Sequence, residues 1–166
     1  MIFEGKISKF GDNISTDLMM PGGVMINTNA PVEENARYCL NTCCPGWAQN
    51  VEKGSIIIAG RNWGCGSSRP APRFFKALNI GVIVADSMSR LFFRNAVNAG
   101  LPVLICKGVS EIFNEGDRAR INIETGEVTN LTKEVTIQGE NLSADSPPAQ
   151  ILKAGGLSAF MRQELR

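Results

Sequence analysis

Three short apolar runs constrain this chain more than anything else in it: Ser55-Ile-Ile-Ile-Ala59, Val82-Ile-Val-Ala85 and Leu101-Pro-Val-Leu-Ile105. A strand that is apolar on successive residues needs cover on both faces, which points to a parallel or central sheet position. Helical segments separate the runs. Arg73 to Leu78 is short, and Ser87 to Ala99 places Leu91, Phe92, Asn95 and Ala99 at helical spacing before Gly100 stops it. Alternation of strand and helix from Ser55 to Ile105 predicts an α/β core with a mixed sheet and flanking helices. An opening strand is expected over Phe3 to Phe10, and a short helix over Glu33 to Leu40. After Gly116 the pattern changes to short strands at Arg118 to Glu124, Glu127 to Leu131 and Lys133 to Gln138, joined by Gly- and Asn-containing turns. Ser146-Pro-Pro148 then reads as a loop before a closing helix, Ala149 to Leu165, interrupted at Gly155-Gly156. With 166 residues and no internal repeat, one domain over residues 1–166 is expected.

Composition removes several function classes. The 17 Lys and Arg are scattered against 16 Asp and Glu, so bulk electrostatics give no reason to expect nucleic acid or a membrane surface as partner. No window approaches the length of a membrane span. The opening MIFEGKISKFGDN carries charges where a secretory signal needs an apolar stretch, so a cytoplasmic protein is expected. Histidine is absent, which excludes a His triad, a His base and every His-containing metal site within this chain. Acid–base chemistry falls to carboxylates, hydroxyls, Tyr38, thiols, lysines or another chain. The five cysteines are an odd number that does not suit a disulfide framework. Cys39, Cys43 and Cys44 follow no usual cluster-ligand spacing, and free cysteines of this kind are expected to be small buried hydrophobes with no metal bound here.

Gly60-Arg-Asn-Trp-Gly-Cys-Gly-Ser-Ser-Arg-Pro70 is the segment richest in chemistry. It follows a buried strand and precedes a helix. Its glycines permit a sharp bend with amides turned outward. Ser67 and Ser68 approach a helix N-terminus, where free N–H groups attract anions. Arg69 adds a planar fork of donors suited to a carboxylate. Local chemistry supports two readings, a small-acid site or a plain strand-to-helix turn with serine caps. A P-loop is excluded because the Gly-Lys-Ser/Thr ending is missing, and Arg69 stands where a dinucleotide fingerprint needs its third glycine.

Gly64-Cys-Gly-Ser-Ser-Arg69 resembles the signature of the swivelling domain of the aconitase superfamily. Within it, the motif looks like that of the separate small subunit of the 3-isopropylmalate dehydratase and homoaconitase type. Phe10-Gly-Asp-Asn-Ile-Ser-Thr-Asp17 with Pro21-Gly22 resembles the family's opening motif. Val51 to Gly60 resembles the strand that leads into the signature. Ala85 to Asn95, with Asn98-Ala-Gly-Leu-Pro102, resembles its Ser-x-x-Arg-x-Phe-x-Arg-Asn helix. The likeness spans roughly residues 3 to 140.

The resemblance implies a β/β/α swivel domain with a short-strand C-terminal region. It also implies reversible dehydration of a hydroxy-dicarboxylic acid, with a [4Fe-4S] cluster carried by a large partner subunit and none bound by this chain. Carried over by position, Ser67 resembles the catalytic base, and Arg69 the carboxylate-binding arginine of the catalytic pair. Ser68, Gly66, Thr16 and Asp17 resemble substrate-binding or supporting residues, with Asp17 expected to orient an arginine such as Arg69. Two departures shape the expected specificity. Pro70-Ala-Pro72 replaces the Glu-His-Ala of many relatives, and Gly23 stands where relatives often carry Arg or Lys. The loop that follows is small and apolar, so Val24 and Met25 are expected to meet an alkyl group, favouring a branched acid such as isopropylmalate. Homoaconitate, citraconate or 2-methylmalate, maleate and dimethylmalate remain alternatives, as does a non-catalytic acid-binding module. Ser87 is expected to cap the long helix, with Arg90 and Arg94 available for pairing or for docking the large subunit. Trp47 and Trp63 suit either an interface or the core.

Overall fold

Strand β1 (Ile2–Lys9) is divided between two partners, and that division organises the fold. Chain order in this computed structural model, which describes residues 1–20, 22, 29–66 and 69–165, runs as follows. After β1 come α1 (Thr16–Met19), α2 (Val32–Ala36), α3 (Trp47–Asn50), β2 (Ile56–Ala59), α4 (Pro72–Ala77), β3 (Val82–Ala85), α5 (Arg90–Ala99) and β4 (Val103–Ile105). Then follow α6 (Val109–Ile112), β5 (Arg118–Asn122), β6 (Glu127–Asn130), β7 (Val135–Gln138), α7 (Pro147–Lys153) and α8 (Leu157–Glu164).

The seven strands form one sheet in the order β4-β3-β2-β1-β5-β6-β7. The C-terminal part of β1 pairs parallel with β2, in the register Ile7 to Ile56 and Lys9 to Ile58. Its N-terminal part pairs antiparallel with β5, from Ile2 opposite Asn122 to Lys6 opposite Arg118. One half of the sheet is therefore parallel and built from crossovers, the other an antiparallel meander. Sequence pattern follows this division. Every residue of β2 and β3 is buried, whereas β5 and β6 alternate buried with exposed.

Lys133 to Gln138 forms a strand only from Val135, because Glu134 adopts a left-handed φ of 57° in the preceding turn. The helix expected over Glu33 to Leu40 is regular only as far as Ala36 and continues as turns. The helices α1, α3 and α6 have four residues each, too short to leave a periodic signal. The closing helix divides at Gly155-Gly156 into α7 and α8.

Aromatic rings knit the parallel half together. Trp63 lies 5.8 Å from Phe10, 5.9 Å from Phe75 and 6.2 Å from Phe92 between ring centroids, and is fully buried. Trp47 packs edge-on against Phe10 at 5.3 Å, and its Nε1 donates to Ser8 Oγ at 3.0 Å. Trp63 is thus core, and it anchors from within the loop after β2. In the antiparallel half, fully buried Asn130 donates to Ile112 O and Asp117 Oδ2 and accepts from the amides of Thr132 and Lys133. A buried amide with its donors and acceptor engaged in this way fixes the turn after β6 instead of penalising it. Among the described residues no helix is long and apolar enough to cross a membrane.

Candidate functional site

Because β1 and β2 are parallel neighbours, the loops leaving their C-terminal ends emerge side by side, where open α/β sheets bind ligands. The two loops continue to pair beyond the strands. Gly60 N donates to Gly11 O at 3.2 Å, Asn13 N to Arg61 O at 2.8 Å, Gly64 N to Ile14 O at 2.8 Å and Thr16 N to Cys65 O at 2.9 Å. Side chains reinforce the seam. Asp12 accepts from the Arg61 amide at 2.7 Å and from its guanidinium at 3.0 Å. Asn62 Nδ2 donates to Asn13 Oδ1 at 2.9 Å. Asn13 and Asn62 both take left-handed backbone angles, φ 59° and 61°, which asparagine tolerates better than most residues. The hydrogen bonds from Arg61, backbone first, hold the Asp12 carboxyl below its ordinary value.

The far side of the loop after β2 is tied to the exit of β3. Trp63 N donates to Ser87 O at 3.1 Å, Ser89 N donates to Trp63 O at 2.9 Å, and Asn62 N donates to Ser87 Oγ at 2.8 Å. Contrary to the expectation from the sequence, Ser87 therefore does not cap α5. Ser89 occupies the N-cap position, and Ser87 spends its hydroxyl on the loop.

Two glycines in the bend are sterically obligatory. Gly64 has φ 73°, and a Cβ there would lie 2.3 Å from Phe92 Cγ. Gly66 has φ 92°, and its open side faces Asp17, whose Oδ2 would be 3.4 Å from a Cβ. The bend thus lies flat on α5 and presents its outer edge to the start of α1, where Ser15 Oγ caps the Leu18 amide at 3.3 Å.

Arg69 closes the arrangement. Its Nε meets Asp17 Oδ1 at 2.6 Å, and its Nη1 donates to Met20 O at 2.8 Å. The pair is partly exposed, 30% for Arg69 and 49% for Asp17, so its value lies in geometry more than in stability. Pro70 keeps Arg69 outside the helix, and α4 begins with Pro72 at its first position. Gly66, Asp17 and Arg69 are brought together, and Thr16 lies buried beneath them at 3% exposure. Ser67, Ser68, Val24 and Met25 lie outside the described residues, as does Gly23. Sequence reasoning missed the Met20 carbonyl and the Asn13–Asn62 bridge. Paired Gly-Asp-Asn and Arg-Asn-Trp turns after adjacent strands are the signal that marks the seam.

The described residues of this chain do not fit a [4Fe-4S] cluster. No three Cys, Asp or Glu side chains among them converge as a metal site. Cys39 and Cys106 are fully buried; burial pushes the Cys39 thiol far up, and burial together with the Asp86 charge pushes Cys106 up to about 11. Such thiols remain protonated and are poor ligands.

Comparison with known proteins agrees with this geometry. Residues 3–107 match the family described as the aconitase C-terminal domain. The isopropylmalate/citramalate isomerase small subunit of Methanocaldococcus jannaschii is 40% identical over 99% of this chain and 96% of that one. The 3-isopropylmalate dehydratase small subunit of Caldicellulosiruptor bescii is 39% identical over 100% of this chain and 98% of its own. The crystal structure of a 3-isopropylmalate dehydratase from M. jannaschii superposes with a TM-score of 0.91 at 32% identity, covering 99% of this chain and 96% of that one. A sheet half parallel and half meandering, with two paired loops at its parallel end, is the swivel architecture, and the chain belongs to the aconitase C-terminal domain family. Its full-length similarity lies with small subunits of the isopropylmalate dehydratase type.

Proposed function

We propose that this chain is the small subunit of a cytoplasmic hydro-lyase that interconverts 3-isopropylmalate and 2-isopropylmalate in leucine biosynthesis. On this reading residues 1–166 act as one swivel domain, and the chain works only with a large subunit carrying the [4Fe-4S] cluster. The carrying observation is the Asp17–Arg69 pair, held at 2.6 Å across two loops that adjacent parallel strands bring together. Asp17 and the Met20 carbonyl engage Nε and Nη1, so the guanidinium is aimed, and Nη2, which has no hydrogen-bond partner among the described residues, suits a substrate carboxylate. Ser67 serves as the base that removes the proton next to that carboxylate. A serine hydroxyl is a weak base until its alkoxide is stabilised, and Arg69 supplies the positive potential. In the reverse direction Ser67 Oγ returns the proton. Ser68 and Gly66 contribute hydroxyl and amide donors, while Val24 and Met25 meet the alkyl group. When bound, the cluster supplies Lewis acidity toward the departing hydroxyl.

Citramalate is a second substrate reading, favoured by the printed name of the 40% identical relative from M. jannaschii. The test is anaerobic mixing of the purified chain with the cluster-loaded large subunit of the same organism. Double-bond formation is then followed in the ultraviolet with 3-isopropylmalate, citramalate and citrate. The proposal expects the highest kcat/KM with 3-isopropylmalate; preference for citrate would overturn the substrate assignment.

A further inference from the structure

The helix layer beside the candidate site carries a charge imbalance that the whole chain conceals. Overall the chain has 17 Lys and Arg against 16 Asp and Glu. Helices α4, α5 and α8 hold Arg73, Lys76, Arg90, Arg94 and Arg162 against a single acid, Glu164 in the last turn of α8. Lys76 is occupied, donating to Ala99 O at 2.7 Å and Gly155 O at 2.9 Å, and Arg162 Nε donates to Ser158 O. Arg73, Arg90 and Arg94 are exposed and have no ion pair among the described residues.

Apolar surface accompanies the arginines. Leu91 on α5 is 37% exposed, and α8 turns Leu157 and Met161, four residues apart, outward at 37% and 48%. No residue of α8 is buried, although the helix is amphipathic. Where α4, α5 and α8 meet, a groove of about 440 Å³ is walled by Pro70, Pro72, Arg73, Asn95 and Leu157. Pro70 directly follows Arg69, so the groove adjoins the candidate site.

From these features we infer that the α4–α5–α8 face docks the large subunit, through an acidic rim on that partner surrounding an apolar contact that enters the groove. The inference rests on the small-subunit reading and adds the surface and its charge. A second copy of this chain is disfavoured as occupant, because a self-complementary contact would set Arg73, Arg90 and Arg94 against their own counterparts. Contact at this face also places the partner next to Arg69, where a shared active site requires it.

The test is the affinity of the full chain for the cluster-loaded large subunit of the same organism, measured anaerobically by calorimetry or interferometry at several salt concentrations. The double variant Arg90→Glu/Arg94→Glu is expected to raise Kd on the order of 10- to 100-fold and to flatten the salt dependence. Leu157→Ser, which removes apolar contact without changing charge, is expected to raise Kd by about 10-fold at unchanged salt slope. A charge-matched control on the antiparallel half, Arg118→Glu/Arg120→Glu, is expected to stay within about threefold of the parent, and circular dichroism confirms that each variant is folded. Wild-type binding with unchanged affinity in Arg90→Glu/Arg94→Glu overturns the docking face and leaves the small-subunit reading intact. Loss of affinity in the Arg118→Glu/Arg120→Glu control instead also overturns it. Failure of the wild-type chain to bind the large subunit overturns both.

Discussion

Gly64→Ala perturbs the bend in two separable ways. The first is local: at φ 73° a Cβ meets its own carbonyl, which costs about 1–2 kcal/mol for a non-glycine residue. The second is tertiary: that Cβ would stand 2.3 Å from Cγ, 2.4 Å from Cβ and 2.6 Å from Cδ2 of Phe92. Phe92 is 1% exposed and wedged against Trp63 and Phe75, so the ring has no free space to enter. Overpacking of this kind costs about 1–3 kcal/mol. Together the two effects give a loss of about 2–5 kcal/mol, which in a chain of this size lowers Tm by roughly 5–15 °C. Urea titration with circular dichroism measures the loss directly. Phe92→Gly separates the contributions, since it removes Cβ together with the ring, and with them every atom of the clash, and leaves the backbone cost. In a double-mutant cycle the two substitutions should be less harmful together than their sum by about 1–3 kcal/mol. If Gly64→Ala stays within about 0.5 kcal/mol of wild type, or the cycle shows no coupling, the bend does not lie on Phe92 and the reasoning fails.

Asn130→Ala should cost about 2–4 kcal/mol in urea unfolding, because it removes one donor from the Asp117 carboxylate and leaves two turn amides without their acceptor. Burial raises the Asp117 carboxyl, but hydrogen bonds from Asn114 and Asn130 with the Lys133 charge outweigh it and hold it below the ordinary 3.8. A carboxyl lowered in the folded state stabilises above pH 3.8 and loses that contribution as pH falls through its folded value. Asp117→Asn should therefore destabilise most near neutrality and progressively less below pH 3.8, as thermal melts across pH would report. Arg69→Lys should raise KM by about 10- to 100-fold in the reconstituted pair, since an ammonium does not span Asp17, Met20 O and a substrate carboxylate; Asp17→Asn should have a smaller effect in the same direction. Thiol labelling of the native chain should modify exposed Cys43 first and reach Cys39 and Cys106 only on unfolding, as mass spectrometry of timed samples would show.

The parallel half was legible because its chemistry is local and repetitive. Ile56 to Ala59 and Val82 to Ala85 are apolar throughout and prove to be buried throughout, and Gly100 ends α5 with a left-handed φ of 74°. The Asp17–Arg69 pairing was also anticipated, from the resemblance and not from spacing, since 52 residues separate its members in the chain. Less legible were features decided by tertiary contact. Ser87 has the type and position of a cap, yet the loop after β2 claims its hydroxyl. Trp63 looks equally suited to an interface or the core, and only the packing of Phe10, Phe75 and Phe92 around it decides. Splitting β1 between parallel and antiparallel partners leaves little mark in its sequence: burial changes from alternation over Ile2 to Lys6 to successive burial at Ile7 and Ser8, and Ser8 is polar.

One measurement reaches the centre of the account: turnover of 3-isopropylmalate by the cluster-loaded large subunit, titrated with wild-type chain and with Ser67→Ala. Activity should be absent from either subunit alone, rise to a plateau at one chain per large subunit, and fall by about two to four orders of magnitude for Ser67→Ala at the same plateau stoichiometry. Full turnover by the large subunit alone, or an unaltered kcat in Ser67→Ala, would contradict the proposal that Ser67 is the base of an active site shared by the two subunits.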